Sequence, residues 1–125
     1  MSPFEQKIFD LVRDELTDDL IPDNFSGRVD SRYCGHCHHA SLAMYNLLGG
    51  KNNGYKLQKA EDEKGITHYW LINSYSEVID PTVEQYTHLN RPLPYQNLKD
   101  NRASYRKTNT TKLIIKRVKE KLKNR

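Results

Sequence analysis

Apolar residues recur at helical spacing near both ends of the chain. Near the N-terminus they predict a helix over about residues 3–16, with Ser2 as N-cap and Pro3 as the first helical residue. Near the C-terminus a similar stripe, set among lysines, predicts a final amphipathic helix. The N-terminal stripe consists of Phe4, Ile8, Leu11, Val12 and Leu16, and the C-terminal one of Leu113, Ile114, Ile115, Val118 and Leu122.

Between these two helices the pattern predicts one more helix and then a series of strands. A helix is predicted over residues 37–48, and Gly49 with Gly50 ends it. Strands are predicted at 55–60, 66–73 and 77–80, the last ended by Pro81, which cannot donate to a ladder. Residues 87–110 are expected to be mostly loop. The order predicts an α+β fold, with a Cys-bearing helix on a small antiparallel sheet and a helix at each end.

The length of the chain and its apolar segments set its class. Its 125 residues suit a single domain over residues 1–125, with a core at about 30–100. No stretch approaches the roughly 20 apolar residues that a membrane span needs. The N-terminus lacks the basic and apolar regions of a signal peptide, so we expect a cytoplasmic protein without a membrane partner.

Charge is divided unevenly along the chain. Residues 1–102 carry 11 Lys and Arg against 15 Asp and Glu, a net −4, whereas residues 103–125 carry 9 against 1, a net +8. The basic segment is compatible with an acidic protein or nucleic-acid partner. The alternative is a helix that docks through its apolar stripe and leaves its basic face in water.

The first candidate for chemistry is a cysteine at the start of a predicted helix. Cys34 and Cys37 are too close to staple a fold, so in a reducing compartment they indicate catalysis or metal binding. Gly35 permits a sharp entry into the helix that begins at Cys37. A helix N-terminus favours the thiolate form of a cysteine, which makes Cys37 the candidate nucleophile.

Two residues downstream complete a candidate catalytic triad. With the strand hairpin centred near Tyr75, position 68 pairs with about position 82, which puts Asp80 diagonally across from His68 on the same face. Diagonal neighbours are within reach of a hydrogen bond between His and carboxylate. His68 is then expected to exchange the thiol proton and Asp80 to fix the His68 tautomer.

Other residues are candidates for the oxyanion site and the substrate cleft. The backbone N–H of Cys37 is the natural first oxyanion donor, and the His36 side chain is a candidate for the second. Trp70 and Tyr33 are candidates for the cleft. Tyrosines also serve as half-buried packing, which is the alternative for all four that could line it: Tyr33, Tyr69, Tyr86 and Tyr95.

Several short motifs in this order resemble a known family. They are Gly35-x-Cys37, Ala40-Ser41, Leu47-Leu48-Gly49-Gly50, His68-Tyr69-Trp70, Ile79-Asp80-Pro81-Thr82 and Glu84-Gln85-Tyr86. Together they are similar to the small YunG-like proteins of bacteria and phages and, more distantly, to transglutaminase-like domains. The resemblance implies a papain-like fold, a cytoplasmic location in a bacterium or phage-infected cell, and nucleophile, base and orienter roles for Cys37, His68 and Asp80. Members often carry Gln where this chain has His36.

These features predict a cysteine-dependent acyl-transfer enzyme without a cofactor. Its substrate would be a protein or peptide-like amide, isopeptide or thioester, and hydrolysis or deamidation is favoured over crosslinking because so small a domain offers little surface for two bulky substrates. The alternative is a binding module, inactive or holding zinc, that recognises an acidic protein or nucleic acid. The candidate zinc ligands are Cys34, Cys37, His38 and His68, with His39 or His88 as substitutes.

Overall fold

Three long helices and a three-stranded antiparallel sheet form an α+β structure. The computed structural model describes residues 1–17, 36–87, 90–97 and 103–123. In chain order the elements are α1 (Pro3–Asp14), α2 (Cys37–Leu47), β1 (Lys56–Glu61), β2 (Thr67–Ile72), β3 (Val78–Ile79), the single-turn α3 (Glu84–Thr87) and α4 (Asn109–Lys123), with 3₁₀ helices at Gly50–Asn53 and Pro94–Asn97.

Helix α1 begins at the predicted residue and is closed by a capping box. The Ser2 N–H donates to Glu5 Oε1 (2.8 Å), and the Glu5 N–H donates to Ser2 Oγ (3.1 Å). Glu5 is buried, and it also accepts a hydrogen bond from the Tyr55 hydroxyl (2.8 Å). Phe4, which was expected on the apolar face, is instead 53% exposed. Glu5, rather than Phe4, therefore occupies the inward position of this first turn.

Helix α2 lies against the sheet through small and apolar side chains. Ala40, Ser41 and Met44 are completely buried, and the Ser41 hydroxyl donates to the Tyr69 carbonyl of β2 (3.2 Å). The helix begins at Cys37, as predicted, and ends at Leu47, followed by Gly49 in the left-handed region (φ 98°). This packing fixes the first turn of α2 beside β2.

The sheet has the order β1-β2-β3 and the register that the sequence predicts. Leu71 pairs with Ile79 and Ile72 with Val78, which centres the hairpin on Tyr75. Strand β3 has two residues rather than the expected four. Asp80 leaves the ladder because its carboxylate turns back to accept the Thr82 N–H (3.1 Å), which begins the turn after the strand.

Helix α4 covers the face of α2 and α1 away from the sheet. Its inward residues Thr111, Ile114 and Val118 are fully buried. Two of its basic residues, Arg117 and Lys121, form ion pairs with Glu15 at the end of α1. Among the described helices, none is both long and apolar enough to cross a lipid bilayer.

Candidate active site

Cys37 is the first residue of α2 and lies over the beginning of β2. Its thiol points to the Thr67 carbonyl, with an Sγ–O distance of 3.8 Å, and its interaction with the neighbouring His68 ring raises the pKa of that ring. The first N–H groups of a helix have no intrahelical acceptor, and the His36 side chain does not cap this end. The Cys37 sulfur therefore lies between an imidazole and the positive end of a helix dipole. Cys37 is 6% exposed.

His68 and Asp80 form a buried ion pair on the face of the sheet under this helix end. His68 Nε2 lies 2.7 Å from Asp80 Oδ2, and the two side chains are 0% and 3% exposed. An ionised carboxylate only accepts hydrogen bonds, so His68 Nε2 is the donor. Asp80 therefore engages His68 through Nε2. The structure thus brings Asp80 to the ring of His68, and Cys37 to the residue before His68 on β2.

Asp80 is held by four hydrogen-bond donors. Oδ2 also accepts from the Tyr95 hydroxyl (2.6 Å), and Oδ1 accepts from the backbone N–H (3.1 Å) and the hydroxyl (3.3 Å) of Thr82. Donors on both oxygens fix the orientation of the carboxylate, and the carboxylate in turn fixes the His68 ring. The position of Thr82 two residues after an Asp was a sequence signal for this turn. The Tyr95–Asp80 contact, by contrast, has no local signal.

Aromatic rings surround His68 and exclude water from it. The edge of Tyr86 meets the imidazole at a centroid distance of 4.8 Å, while Trp70 and Tyr95 lie roughly parallel to it at 5.9 and 6.5 Å. Tyr86 is itself held by its hydroxyl, which donates to Asp62 Oδ2 (2.9 Å). In this dry environment the His68–Asp80 interaction is stronger than it would be in water.

The pKa of His68 depends on the balance between its burial and its charged neighbours. Burial alone lowers it, but the charge and hydrogen bond of Asp80, followed by those of Cys37, raise it to about 9. The ring is therefore protonated at neutral pH. It can stabilise negative charge on the Cys37 sulfur and later donate a proton to a leaving group.

The other histidines near Cys37 have different partners. His36 is fully buried, with its Nδ1 2.7 Å from His39 Nε2, and His38 Nε2 lies 2.9 Å from the Ser104 carbonyl. Because the His36 ring has no exposed surface, its predicted role as an oxyanion donor would require the ring to move, and that role stays a prediction.

Acidification below pH 6.5 is expected to destabilise the protein through His39. Burial, together with the charges of His36 and His38, lowers the pKa of His39 to about 3. A pKa below the unfolded value gives stability that is present above pH 6.5 and lost as the pH falls toward 3. At pH 5 the loss is about 2 kcal/mol, from the usual His pKa and the linkage relation. Urea unfolding of wild-type and His39→Gln protein at pH 7 and pH 5 measures it.

The wild-type advantage over His39→Gln should shrink by that amount between the two pH values. His38→Gln, which alters a partly exposed ring in the same turn and removes only the smallest cause of the lowered His39 pKa, is the matched control and should keep most of the wild-type pH dependence. Parallel pH curves for wild-type and His39→Gln would show that His39 does not carry the effect.

Trp70, which was predicted for the cleft, is instead buried. Trp70 is 1% exposed, and its Nε1 donates to Gln58 Oε1 (3.0 Å), so it packs behind His68 and offers no open surface. Tyr33 lies outside the described residues. Tyr95 and Tyr86, considered only as general cleft residues, turn out to be direct neighbours of the His68–Asp80 pair.

The zinc alternative involves residues both inside and outside the described ranges. Cys34 and His88 are outside the described residues. Within the described ranges, no three His, Cys, Asp or Glu side chains form a group that could hold a metal ion. His38 and His68, two of the predicted ligands, point to Ser104 and Asp80 respectively. The zinc site therefore stays an untested alternative.

Comparison of the chain with protein-family models, with curated proteins and with solved structures gives no match. The resemblance to YunG-like and transglutaminase-like proteins consequently remains a prediction from the motifs. The geometry of Cys37, His68 and Asp80 has to support the function by itself.

Proposed function

We propose that this protein is a cysteine-dependent acyl-transfer enzyme that cleaves an amide, isopeptide or thioester bond. The observation that carries the proposal is the buried His68, which is paired with Asp80 through Nε2 and interacts with Cys37 at the first residue of a helix. A nucleophile, a base and a group that orients the base are the three parts that such chemistry needs.

Acylation would begin with the thiol proton of Cys37 on Nδ1 of His68. The sulfur attacks the carbonyl carbon of the substrate, and the C=O electron pair moves onto oxygen. The Cys37 backbone N–H, at the uncapped end of α2, is the donor best placed for this oxyanion. The intermediate then collapses to a thioester, and the imidazolium gives its proton to the departing amine or thiol.

Deacylation would reverse the roles with water as the nucleophile. Neutral His68 accepts a proton from the water as its oxygen attacks the thioester carbonyl, and the Cys37 sulfur leaves as thiolate. Asp80 keeps its proton-free form throughout and stabilises the imidazolium at Nε2. The products are a carboxylic acid and the free enzyme, so the cycle needs no cofactor.

The order of the elements supports a papain-like or transglutaminase-like arrangement. The nucleophile begins a helix that packs on an antiparallel sheet, the histidine lies on the next strand but one, and the acid follows the adjacent strand. The motifs quoted above give the same order. The corresponding substrate is a protein or peptide-like molecule, with hydrolysis or deamidation as the reaction.

Selective alkylation of Cys37 tests this proposal. The protein has two cysteines, so iodoacetamide labelling at pH 7 followed by peptide mass spectrometry gives a rate for each. A thiol paired with a protonated imidazole is expected to react on the order of 10 times faster than a free thiol peptide, because thiolate is the reactive form. His68→Gln should remove that advantage.

Cys34→Ala is the matched control and should keep the fast labelling, whereas Cys37→Ala should abolish it. If Cys37 reacts no faster than the peptide, or if His68→Gln leaves its rate unchanged, the proposed nucleophile–base pair is wrong.

A further inference from the structure

Five lysines form a row along the outer face of α4. Four of them, at positions 112, 116, 119 and 123, are spaced by four, three and four residues, which places them on one face of the helix. Lys107, just before the helix, extends the row. They border an open groove of about 410 Å³, whose other lining residues are Ile115 and Glu120.

These lysines differ from the other basic residues of α4, because the structure shows no ion pair between them and a described acidic side chain. Arg117 and Lys121 are neutralised by Glu15, which fastens α4 to the end of α1. None of the five lysines of the row forms an ion pair with an acidic residue in the part of the chain that the structure describes. The docking of α4 therefore uses its apolar stripe and two cations, and leaves the row exposed.

The dimensions of the row match a regularly charged polymer. From Lys112 to Lys123 the helix rises roughly 16 Å at 1.5 Å per residue. One strand of B-form DNA carries a phosphate about every 3.4 Å along its axis, so the row spans four or five phosphates. Adjacent lysines are separated by roughly 4–6 Å along the helix, and their long side chains can reach successive phosphates.

The composition of the groove favours the phosphate backbone of a nucleic acid over its bases. Five of the seven described lining residues are lysines, which bind phosphate as point charges. Among these described lining residues there is no aromatic ring on which a base could stack. A single partly buried apolar residue, Ile115, gives too little surface for the apolar centre of a protein interface.

We propose that the row of Lys107, Lys112, Lys116, Lys119 and Lys123 binds the phosphate backbone of nucleic acid without sequence preference. The interaction is electrostatic. It is confined to the C-terminal segment, because that segment carries the excess positive charge while residues 1–102 carry a net charge of −4. It is separate from the Cys37 site and does not depend on its chemistry.

Salt-dependent binding of labelled DNA tests the proposal. Fluorescence anisotropy of a fluorescein-labelled duplex of about 16 base pairs, in roughly 50–200 mM NaCl, gives the dissociation constant and its salt slope. With four or five phosphate contacts, log K should fall against log salt with a slope of about −4. Lys112→Gln combined with Lys116→Gln and Lys119→Gln should reduce that slope by about 3 and weaken binding on the order of tenfold or more at low salt.

The matched control changes three exposed lysines elsewhere, Lys51, Lys56 and Lys64, to Gln, which alters the net charge equally. It should leave the dissociation constant within about twofold, since those residues make no phosphate contact. If both triple variants lose affinity equally, binding depends on overall charge and not on the row, which contradicts the proposal. Absence of wild-type binding at low salt would also overturn it. Polyglutamate that displaces the duplex at equal charge concentration would assign the row to an acidic protein instead.

Discussion

Asp80→Asn is expected to lower the pKa of His68 from about 9 to below 6.5. The Asp80 charge and hydrogen bond are the largest causes that raise this pKa, and they act against burial, which lowers it. Once the charge is removed, burial prevails and the ring becomes neutral at pH 7. Imidazole ¹⁵N NMR across the range of pH 5–10 measures the shift directly, without any substrate.

Tyr95→Phe is the informative control for this prediction. Its hydroxyl donates to Asp80 Oδ2, the same oxygen that His68 holds, so its loss should leave the pKa of His68 unchanged or raise it slightly. The two variants thus shift the pKa differently although both remove a hydrogen bond at Asp80. A His68 pKa that stays near 9 in Asp80→Asn would show that the pair does not control the ring.

Asp80→Asn also has a catalytic consequence under the proposed function. An amide in place of the carboxylate can hold the wrong tautomer of His68, and in a comparable serine-protease triad that change costs about 10⁴-fold in turnover. We expect a loss on the order of 10²–10⁴-fold, with the alkaline limb of the pH–rate profile displaced downward together with the His68 pKa.

Stability should decrease as the pH rises from 6.5 through about 9, because His68 loses its proton there. The folded pKa of His68, about 9, exceeds the unfolded value near 6.5. Its contribution is therefore fully present below pH 6.5 and is lost as the pH rises through the folded pKa. The expected loss is about 3 kcal/mol, from 1.36 kcal/mol per pKa unit, a large share of a typical domain's stability.

Urea unfolding of wild-type and His68→Gln protein between pH 6.5 and pH 10 measures this loss. Glutamine can still donate to Asp80 but does not titrate, so the variant should be less stable at pH 6.5 and approach the wild-type protein at high pH. A constant difference between the two proteins over this range would contradict the linkage, even if His68 is essential for activity.

His68 and His39 together confine the stability of the fold to a neutral window. His39 is neutral in the fold and destabilises it below pH 6.5, while His68 is charged and destabilises it when deprotonated. Both rings lie near the first turn of α2, which carries Cys37. We therefore expect extremes of pH to disturb the candidate site early in unfolding.

Much of the fold could be predicted because its signals are local. Ser2 and Pro3 mark the start of α1, the residues before Gly49 end α2, and a hairpin centred on Tyr75 sets the register of β2 and β3. That register also places His68 near Asp80, because strand geometry converts a sequence separation into a spatial one. The strand limits differ from the prediction by one or two residues, where turn contacts compete with the ladder.

The parts that could not be predicted depend on contacts between segments without repeating geometry. The 3₁₀ helix Pro94–Asn97 lies in a stretch expected to be loop, and it delivers Tyr95 to Asp80, 15 residues away in the chain. The burial of Trp70 behind His68 likewise depends on the ring of Tyr95, which the same 3₁₀ helix brings to 4.9 Å from the Trp70 ring. Local propensity carries no information about either contact.

By itself, the sequence determined the helix that begins at Cys37, the hairpin that opposes His68 and Asp80, and the separation of the basic segment from an acidic body. Only the tertiary structure decided the partners of the histidines nearer to Cys37, since packing brings His36 to His39 and His38 to the Ser104 carbonyl. It also decided the charge of His68, because a pKa depends on burial and on the carboxylate that packing brings to the ring.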